Sequence, residues 1–304
     1  MSSKTYSRFG GLWIDRLDGE QLLSERRQAG LYSAELADRI EAFMRDGFII
    51  LKGAVSKADT AALRAEIAEF WRSPPEDARV ETYEVPGAEG VQLVKPHEDY
   101  KFGTTKLLDY HAFSDRMRRA VANPQAVEFL AAIFESAPKA FQGLTFWRGS
   151  QQPIHKDTAY VQVDGAPMHL AASWLALEDV RPGVGELEYF IGSHRAPDYL
   201  FAGHSKWVTA APEEDPKFLQ SLQDDAKTYG YRKSAFLADE GDVLIWHADL
   251  AHGGGQITQP GKSRESHVTH FTTAHDNPPY LRNMTRRHFE QNGCIFVSGH
   301  REIG

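Results

Sequence analysis

A histidine followed two residues later by a carboxylate is a pattern that can begin a metal site, because an imidazole nitrogen and a carboxylate oxygen both suit iron, zinc and similar ions. The pattern recurs in this chain at His97-Glu98-Asp99, His155-Lys156-Asp157, His247-Ala248-Asp249 and His288-Phe289-Glu290. At most one or two of these can supply ligands. The common fate of such a pair is a solvated turn or a core histidine whose hydrogen bonds are already met.

Context separates them. In an extended strand, residues i and i+2 face the same side, so His155 and Asp157 project together if "IHKDTAYVQV" is extended. Two imidazoles and one carboxylate on one face of a metal leave three positions open, which is the arrangement used by non-haem iron(II) oxygenases. The third ligand must then come from another strand. His252 is the best placed: it follows the apolar "VLIW" and precedes Gly253-Gly254-Gly255, where missing side chains let a ligand approach the backbone. Arg264 opens "RESHVTHF". If that strand pairs with the one before it, the guanidinium can enter the same cavity and hold a carboxylate by two hydrogen bonds. His247 and Asp249 would share a face of an extended "VLIWHAD", but they lie too close to His252 along one strand to supply the opposing ligands. His247 is expected to pack or to support the site from outside.

The elements that must position these residues divide the chain in two. Helical spacing in "SAELADRIEAFMRD", with Ser33 as N-cap, precedes the short strand "GFIILKGAV". A second amphipathic helix, "SKADTAALRAEIAEFWRS", stops at Pro74-Pro75, and "FSDRMRRAVANPQAVEFLAAIFE" reads as one or two helices broken near Pro124. Residues 76–107 read as polar and irregular. After Pro138 the texture turns to short β-branched and aromatic runs: "KAFQGLTFWRG", "IHKDTAYVQV", "MHLAASWLALEDV", "ELEYFIGSH", "DVLIWHADLAHGG" and "SRESHVTHFTTAH". Short strands after helices indicate a β-dominated α+β fold, a jelly roll braced by helices. The expected organisation is one domain over 1–304. It has helical support at 33–137, a core at 138–275, a lid-like insertion at 195–236 and a C-terminal extension at 276–304.

Bulk properties exclude several classes. A net charge of −8 leaves no basic excess for a general nucleic-acid or anionic-membrane binder. With one cysteine, Cys294, there is no intramolecular disulfide and no cysteine-rich zinc site. No apolar run resembles a signal peptide or a membrane span. These features fit a cytoplasmic protein acting on a small molecule; they leave the oligomeric state open.

Residues 34–275 resemble the phytanoyl-CoA dioxygenase family of iron(II)- and 2-oxoglutarate-dependent oxygenases. The resemblance rests on "FMRDGFIILKGAVSKADTAALRAEI", "IHKD", "WLALEDVRPGVGELEYFIGSHR" and "GDVLIWHADLAHGGG" followed by Arg264, in that order. It implies a double-stranded β-helix, iron held by His155, Asp157 and His252, and Arg264 on the distal carboxylate of 2-oxoglutarate. It also implies Trp174, Gln142 and Thr145 as contacts of the cosubstrate. Where the family often has Gly-Ser-Gly and Asn after the distal histidine, this chain has Gly253-Gly254-Gly255-Gln256. Halogenating relatives carry a small residue at the position of Asp157, so its presence favours hydroxylation, or a related desaturation or epimerisation, with Fe(II), 2-oxoglutarate and O2. The alternative is a catalytically silent or 2-oxoglutarate-independent relative. Lys101, Lys106, Tyr110, His111, Trp147 and Trp207 are candidates for the outer pocket, and nothing in the sequence selects a substrate.

Overall fold

The computed structural model describes residues 4–300, so the first three residues and 301–304 of the C-terminal extension lie outside the described residues. Its helices begin where local chemistry says they should. The first, α1 (Gly19–Gln28), was not expected: it is mostly polar and buries only Gly19 and Leu23, too little to show an apolar stripe. Helix α2 (Ala34–Asp46) starts at Ser33, whose side chain accepts the Leu36 N–H, and it buries Leu36, Ala37, Ile40, Phe43 and Met44. It ends at Gly47 with φ 83°, and a Cβ there would stand 2.5 Å from His194 Nδ1, so glycine is needed on two counts. Helix α3 (Lys57–Arg72) is capped by Ser56 and stops before the proline pair. After the one-turn α4 (Glu98–Lys101) come α5 (Asp115–Val121) and α6 (Pro124–Phe134). Asn123 caps α6, and Pro124 occupies a first-turn position where its missing N–H costs nothing. The last helix is α7 (Asp215–Tyr229).

The strands are β1 (Phe48–Leu51), β2 (Val80–Thr82), β3 (Gln92–Val94), β4 (Thr105–Leu108), β5 (Pro138–Phe146), β6 (Ala171–Ala176), β7 (Leu187–Phe190), β8 (Lys233–Phe236), β9 (Val243–His247), β10 (His252–Gly254), β11 (Ser266–Thr273), β12 (Thr285–Gln291) and β13 (Cys294–His300). A large sheet runs β1-β9-β6-β11-β5-β4-β2-β3, with β13 alongside β5 and β12 alongside β13, and a small sheet runs β10-β7-β8. The two form a double-stranded β-helix, as expected. One face of the large sheet packs on the helices through Ile40, Phe43, Leu63, Phe129, Ile245 and Phe271, all fully buried. The other face looks toward the small sheet and encloses a cavity.

Several expectations change. Residues 76–107 are not irregular, because β2, β3 and β4 extend the large sheet beyond β5. Strands this short carry too little alternation to be seen in the sequence. The helical support therefore also supplies β1, paired with β9. The insertion does not run to residue 236 as a free excursion, since its end is β8, paired with β7. The C-terminal extension forms the β12–β13 hairpin, whose second strand lies parallel to β5. "IHKDTAYVQV" is not a strand; only His155 makes a β-bridge, and Asp157–Ala159 is a 3-10 turn. Among the described residues, no helix is long and apolar enough to cross a membrane.

Candidate metal centre

His155 and His252 are brought together by the backbone before their side chains are considered. Each N–H donates to the other's carbonyl, at 2.8 Å and 2.9 Å, across an antiparallel bridge that adds His155 to the edge of the small sheet. The glycines after His252 permit this approach. A Cβ on Gly253 would stand 2.7 Å from the Gln152 carbonyl, and one on Gly254 would stand 2.7 Å from the Gln151 nitrogen. The 3-10 turn that follows then swings Asp157 back toward both rings.

The ligand atoms of His155, Asp157 and His252 lie within 4.8 Å of one another, and all three residues are buried. Asp157 Oδ1 is 3.7 Å from His155 Nε2 and 3.6 Å from His252 Nε2. In each histidine, Nδ1 lies 2.8 Å from a main-chain carbonyl, Pro153 for His155 and Leu250 for His252. A carbonyl can only accept, so Nδ1 carries the proton and Nε2 presents its lone pair to the centre. Burial pushes the His252 imidazole down to about 4, against the opposing pull of Asp157, which keeps the ring neutral. Burial works against the charged form of Asp157, but His252, His270 and His155 outweigh it and hold the carboxyl well below its usual range. The result is two imidazole nitrogens and one carboxylate facing a common point, a donor set that fits iron(II).

Arg264 enters the same cavity, though not by the route expected. It lies just before β11, which pairs with β5 and β6 rather than with β10, and the Arg264 N–H donates to the Trp147 carbonyl at 2.9 Å. The guanidinium lies 5.4 Å from the Trp174 ring and 5.8 Å from Phe146. Its Nε is buried with no hydrogen-bond partner among the described residues. Burial lowers it to about 10, with Glu186 and Glu178 pulling the other way, so it keeps its charge. A buried cation lacking an anion is expensive, and an anionic ligand would meet that need.

The cavity measures about 210 Å³ and is lined by all four of these residues, with Trp174, Leu187, Val268 and Phe146 on the apolar side and Gln142, Ser150 and Gln152 among the polar groups. Thr145 is not among them. It points to the opposite face of β5, where its hydroxyl meets His267 Nδ1 at 2.8 Å; one residue along a strand reverses the side. Of the outer-pocket candidates, Lys106 lines the cavity and pairs with Glu81 at 3.5 Å. Tyr110 is buried against Glu66 at 3.0 Å, and the His111 ring meets the Val297 carbonyl at 3.2 Å. Lys101, Trp147 and Trp207 stay outside the lining; Trp147 packs edge-on against Phe102 at 4.7 Å.

Two cavity residues beside Asp157 escaped the sequence reading. Trp246 Nε1 donates to Asp157 Oδ2 at 2.7 Å, and His270 Nε2 stands 3.5 Å from the same oxygen. His270 shares the parity of Arg264 and Val268 along the chain, a signal that could have found it.

The other His-x-acid pairs are otherwise engaged. His97 and His288 are exposed. Strand β9 ends at His247, whose Nε2 meets Asp15 Oδ1 at 3.0 Å while Nδ1 accepts the Asp249 N–H at 3.0 Å. Asp249 is not extended alongside it. It lies in the following turn, bonded to Lys206 at 2.6 Å and to the Thr158 hydroxyl.

A double-stranded β-helix with a His-x-Asp pair, a distal histidine and a buried arginine around one cavity defines the class of iron- and 2-oxoglutarate-dependent oxygenases. The family profile described as phytanoyl-CoA dioxygenase (PhyH) matches residues 43–266, and the chain belongs to that family. Ectoine dioxygenase of Bordetella bronchiseptica is 28% identical over 240 residues, covering 74% of this chain and 71% of that protein. Two solved structures share the fold. EctD from S. alaskensis, with 2-oxoglutarate and 5-hydroxyectoine, superposes with a TM-score of 0.55 at 19% identity, over 84% of this chain and 79% of its own. The non-heme alpha ketoglutarate dependent carbocyclase SnoK from nogalamycin biosynthesis superposes with a TM-score of 0.61 at 16% identity, over 89% of this chain and 98% of its own. The chain is an iron(II)- and 2-oxoglutarate-dependent dioxygenase.

Proposed function

We propose that this enzyme hydroxylates an unactivated C–H bond of a small-molecule metabolite, with His155, Asp157 and His252 holding the metal and Arg264 holding the distal carboxylate of 2-oxoglutarate. One observation carries the reading: two imidazole lone pairs and a carboxylate oxygen converge beside a buried arginine that lacks an anionic partner among the described residues, all in one cavity. When bound, iron(II) with 2-oxoglutarate and O2 supplies the oxidant that converts C–H to C–OH, with succinate and CO2 released. The chain's own part is positional. The Pro153 and Leu250 carbonyls fix the ring orientations of His155 and His252. Trp174 lies beside Arg264 as a wall of the cosubstrate pocket, and Gln142 lines the same cavity; Thr145 has no place there. Phe146, Leu187 and Val268 exclude water that would otherwise compete for the site.

The proteins named above include an ectoine dioxygenase and a carbocyclase from nogalamycin biosynthesis, which supports a small-molecule substrate without choosing one. Anaerobic addition of iron(II) and 2-oxoglutarate tests the site. A visible charge-transfer band is expected in the wild type and absent in His155→Ala, and a wild type without the band overturns the reading. Substrate-dependent succinate release across a metabolite panel then reads the substrate.

A further inference from the structure

The two oxygens of Asp157 have different surroundings. Oδ1 faces His155 Nε2 and His252 Nε2 at 3.7 Å and 3.6 Å. Oδ2 is turned from them: the Trp246 indole N–H donates to it at 2.7 Å, and His270 Nε2 lies 3.5 Å away. Trp246, Ala172 and His270 are register partners on three adjacent strands, β9, β6 and β11. Only a methyl group stands between the two large side chains, so both can lean toward one carboxylate oxygen. Neither ring nitrogen of His270 makes a hydrogen bond among the described residues, its 3.5 Å approach to Oδ2 being a close contact only, and the residue is 4% exposed. An imidazole buried in this way is held for a purpose or tolerated at a cost.

We propose that Trp246 and His270 are positioning residues that hold Oδ2 of Asp157, so that the carboxylate offers Oδ1 alone to the metal. The proposal rests on the ligand set of the preceding subsection. Trp246 suits the task because an indole N–H can only donate and cannot itself become a ligand. Its ring is 2% exposed and packs 4.8 Å from the His252 ring, so the donor is fixed by the core. His270 has the right chemistry for a fourth ligand but not the right place, since the group of mutually close ligand atoms comprises His155, Asp157 and His252 without it. The consequence is a matter of coordination arithmetic. Three protein ligands leave three positions, and a keto acid chelated through two oxygens leaves one for O2. A carboxylate bound through both oxygens would fill that last position.

The test uses the full-length protein and Mn(II), with binding followed by the loss of the free-ion electron paramagnetic resonance signal. Trp246→Phe and His270→Phe are each expected to raise the Mn(II) dissociation constant by about tenfold to a hundredfold, the usual cost of losing a partner that orients a ligand. The double variant should be little worse than the weaker single, because both groups hold one oxygen. His270→Gln, which returns an N–H, should recover part of the affinity. Unfolding midpoints of the metal-free variants check folding, and if Trp246→Phe fails to fold, the two His270 variants still carry the test. Unchanged affinity in the folded variants overturns the proposal. A loss in His270→Phe as complete as in His252→Ala also overturns it, by making His270 a ligand. If His155→Ala and His252→Ala themselves bind Mn(II) like the wild type, the ligand set fails instead. A crystal structure of the Mn(II)-loaded protein reads the point directly: one Asp157 oxygen on the metal supports it, and two overturn it.

Discussion

His155-Lys156-Asp157 and His247-Ala248-Asp249 are the same pattern in one molecule, both pairs buried, and they have opposite fates. In the first, the Pro153 carbonyl takes the Nδ1 proton of His155, while its Nε2, met by the Gln152 amide at 3.3 Å, and Oδ1 of Asp157 remain turned toward a cavity. In the second, every strong group is consumed. Asp15 takes His247 Nε2, the backbone takes Nδ1, and Lys206 and Thr158 take Asp249. Residue type does not separate a ligand pair from a structural pair. What separates them is whether the protein has already spent their hydrogen-bonding capacity.

The largest effects should fall on either side of that contrast. His252→Ala or Asp157→Ala is expected to abolish iron binding and turnover, whereas His247→Ala should keep Mn(II) affinity near the wild type and lower the unfolding midpoint. Loss of metal binding in His247→Ala would break the distinction. Next, Lys206→Met strands Asp249 without its cation. Burial works against the charge of Lys206, but Asp249 and Asp198 hold it charged. Removing one partner of a buried pair costs about 3–5 kcal/mol, which urea unfolding should show without a change in metal affinity.

Smaller, and specific to the cavity, is Arg264→Leu. A hydrogen bond to a charged group contributes about 1.5–3 kcal/mol, so KM for 2-oxoglutarate should rise by roughly 10- to 150-fold while Mn(II) affinity is preserved. Unchanged KM would take the arginine out of the cosubstrate pocket. The smallest effect concerns histidines that belong to neither pair. Burial lowers His111 to about 4 and His267 to about 3 from 6.5. Between those values and 6.5 the unfolded chain binds protons that the folded chain does not, so stability must fall as pH drops from 6.5 toward 4. The urea midpoint should follow that slope, and His111→Phe should make it shallower.

Much of this was legible in one dimension. Ser33, Asn123 and Pro124 mark helix starts by chemistry that acts within one turn. The apolar runs around Trp174 and Trp246 mark central strands, because strands covered on both faces are hydrophobic along most of their length. What was not legible lay in short or solvent-facing elements. Helix α1 and strands β2 to β4 are too short or bury too few side chains to leave a periodic trace. Thr145 was misplaced and His270 was missed for one reason: which face of a strand meets the cavity depends on register with its neighbours.

The sequence by itself determined the family, the jelly-roll class and the residue types able to hold iron and a keto acid, because these depend on local pattern and on chemistry intrinsic to each side chain. Only the tertiary structure decided which histidine pair faces a cavity, which oxygen of Asp157 faces the two imidazoles, and that Arg264 reaches the cavity from beside β5 and β6. Those outcomes depend on partners distant in the chain, from Pro153 and Leu250 to Trp246, Asp15 and Lys206, and a hydrogen bond exists only once both of its ends are in place.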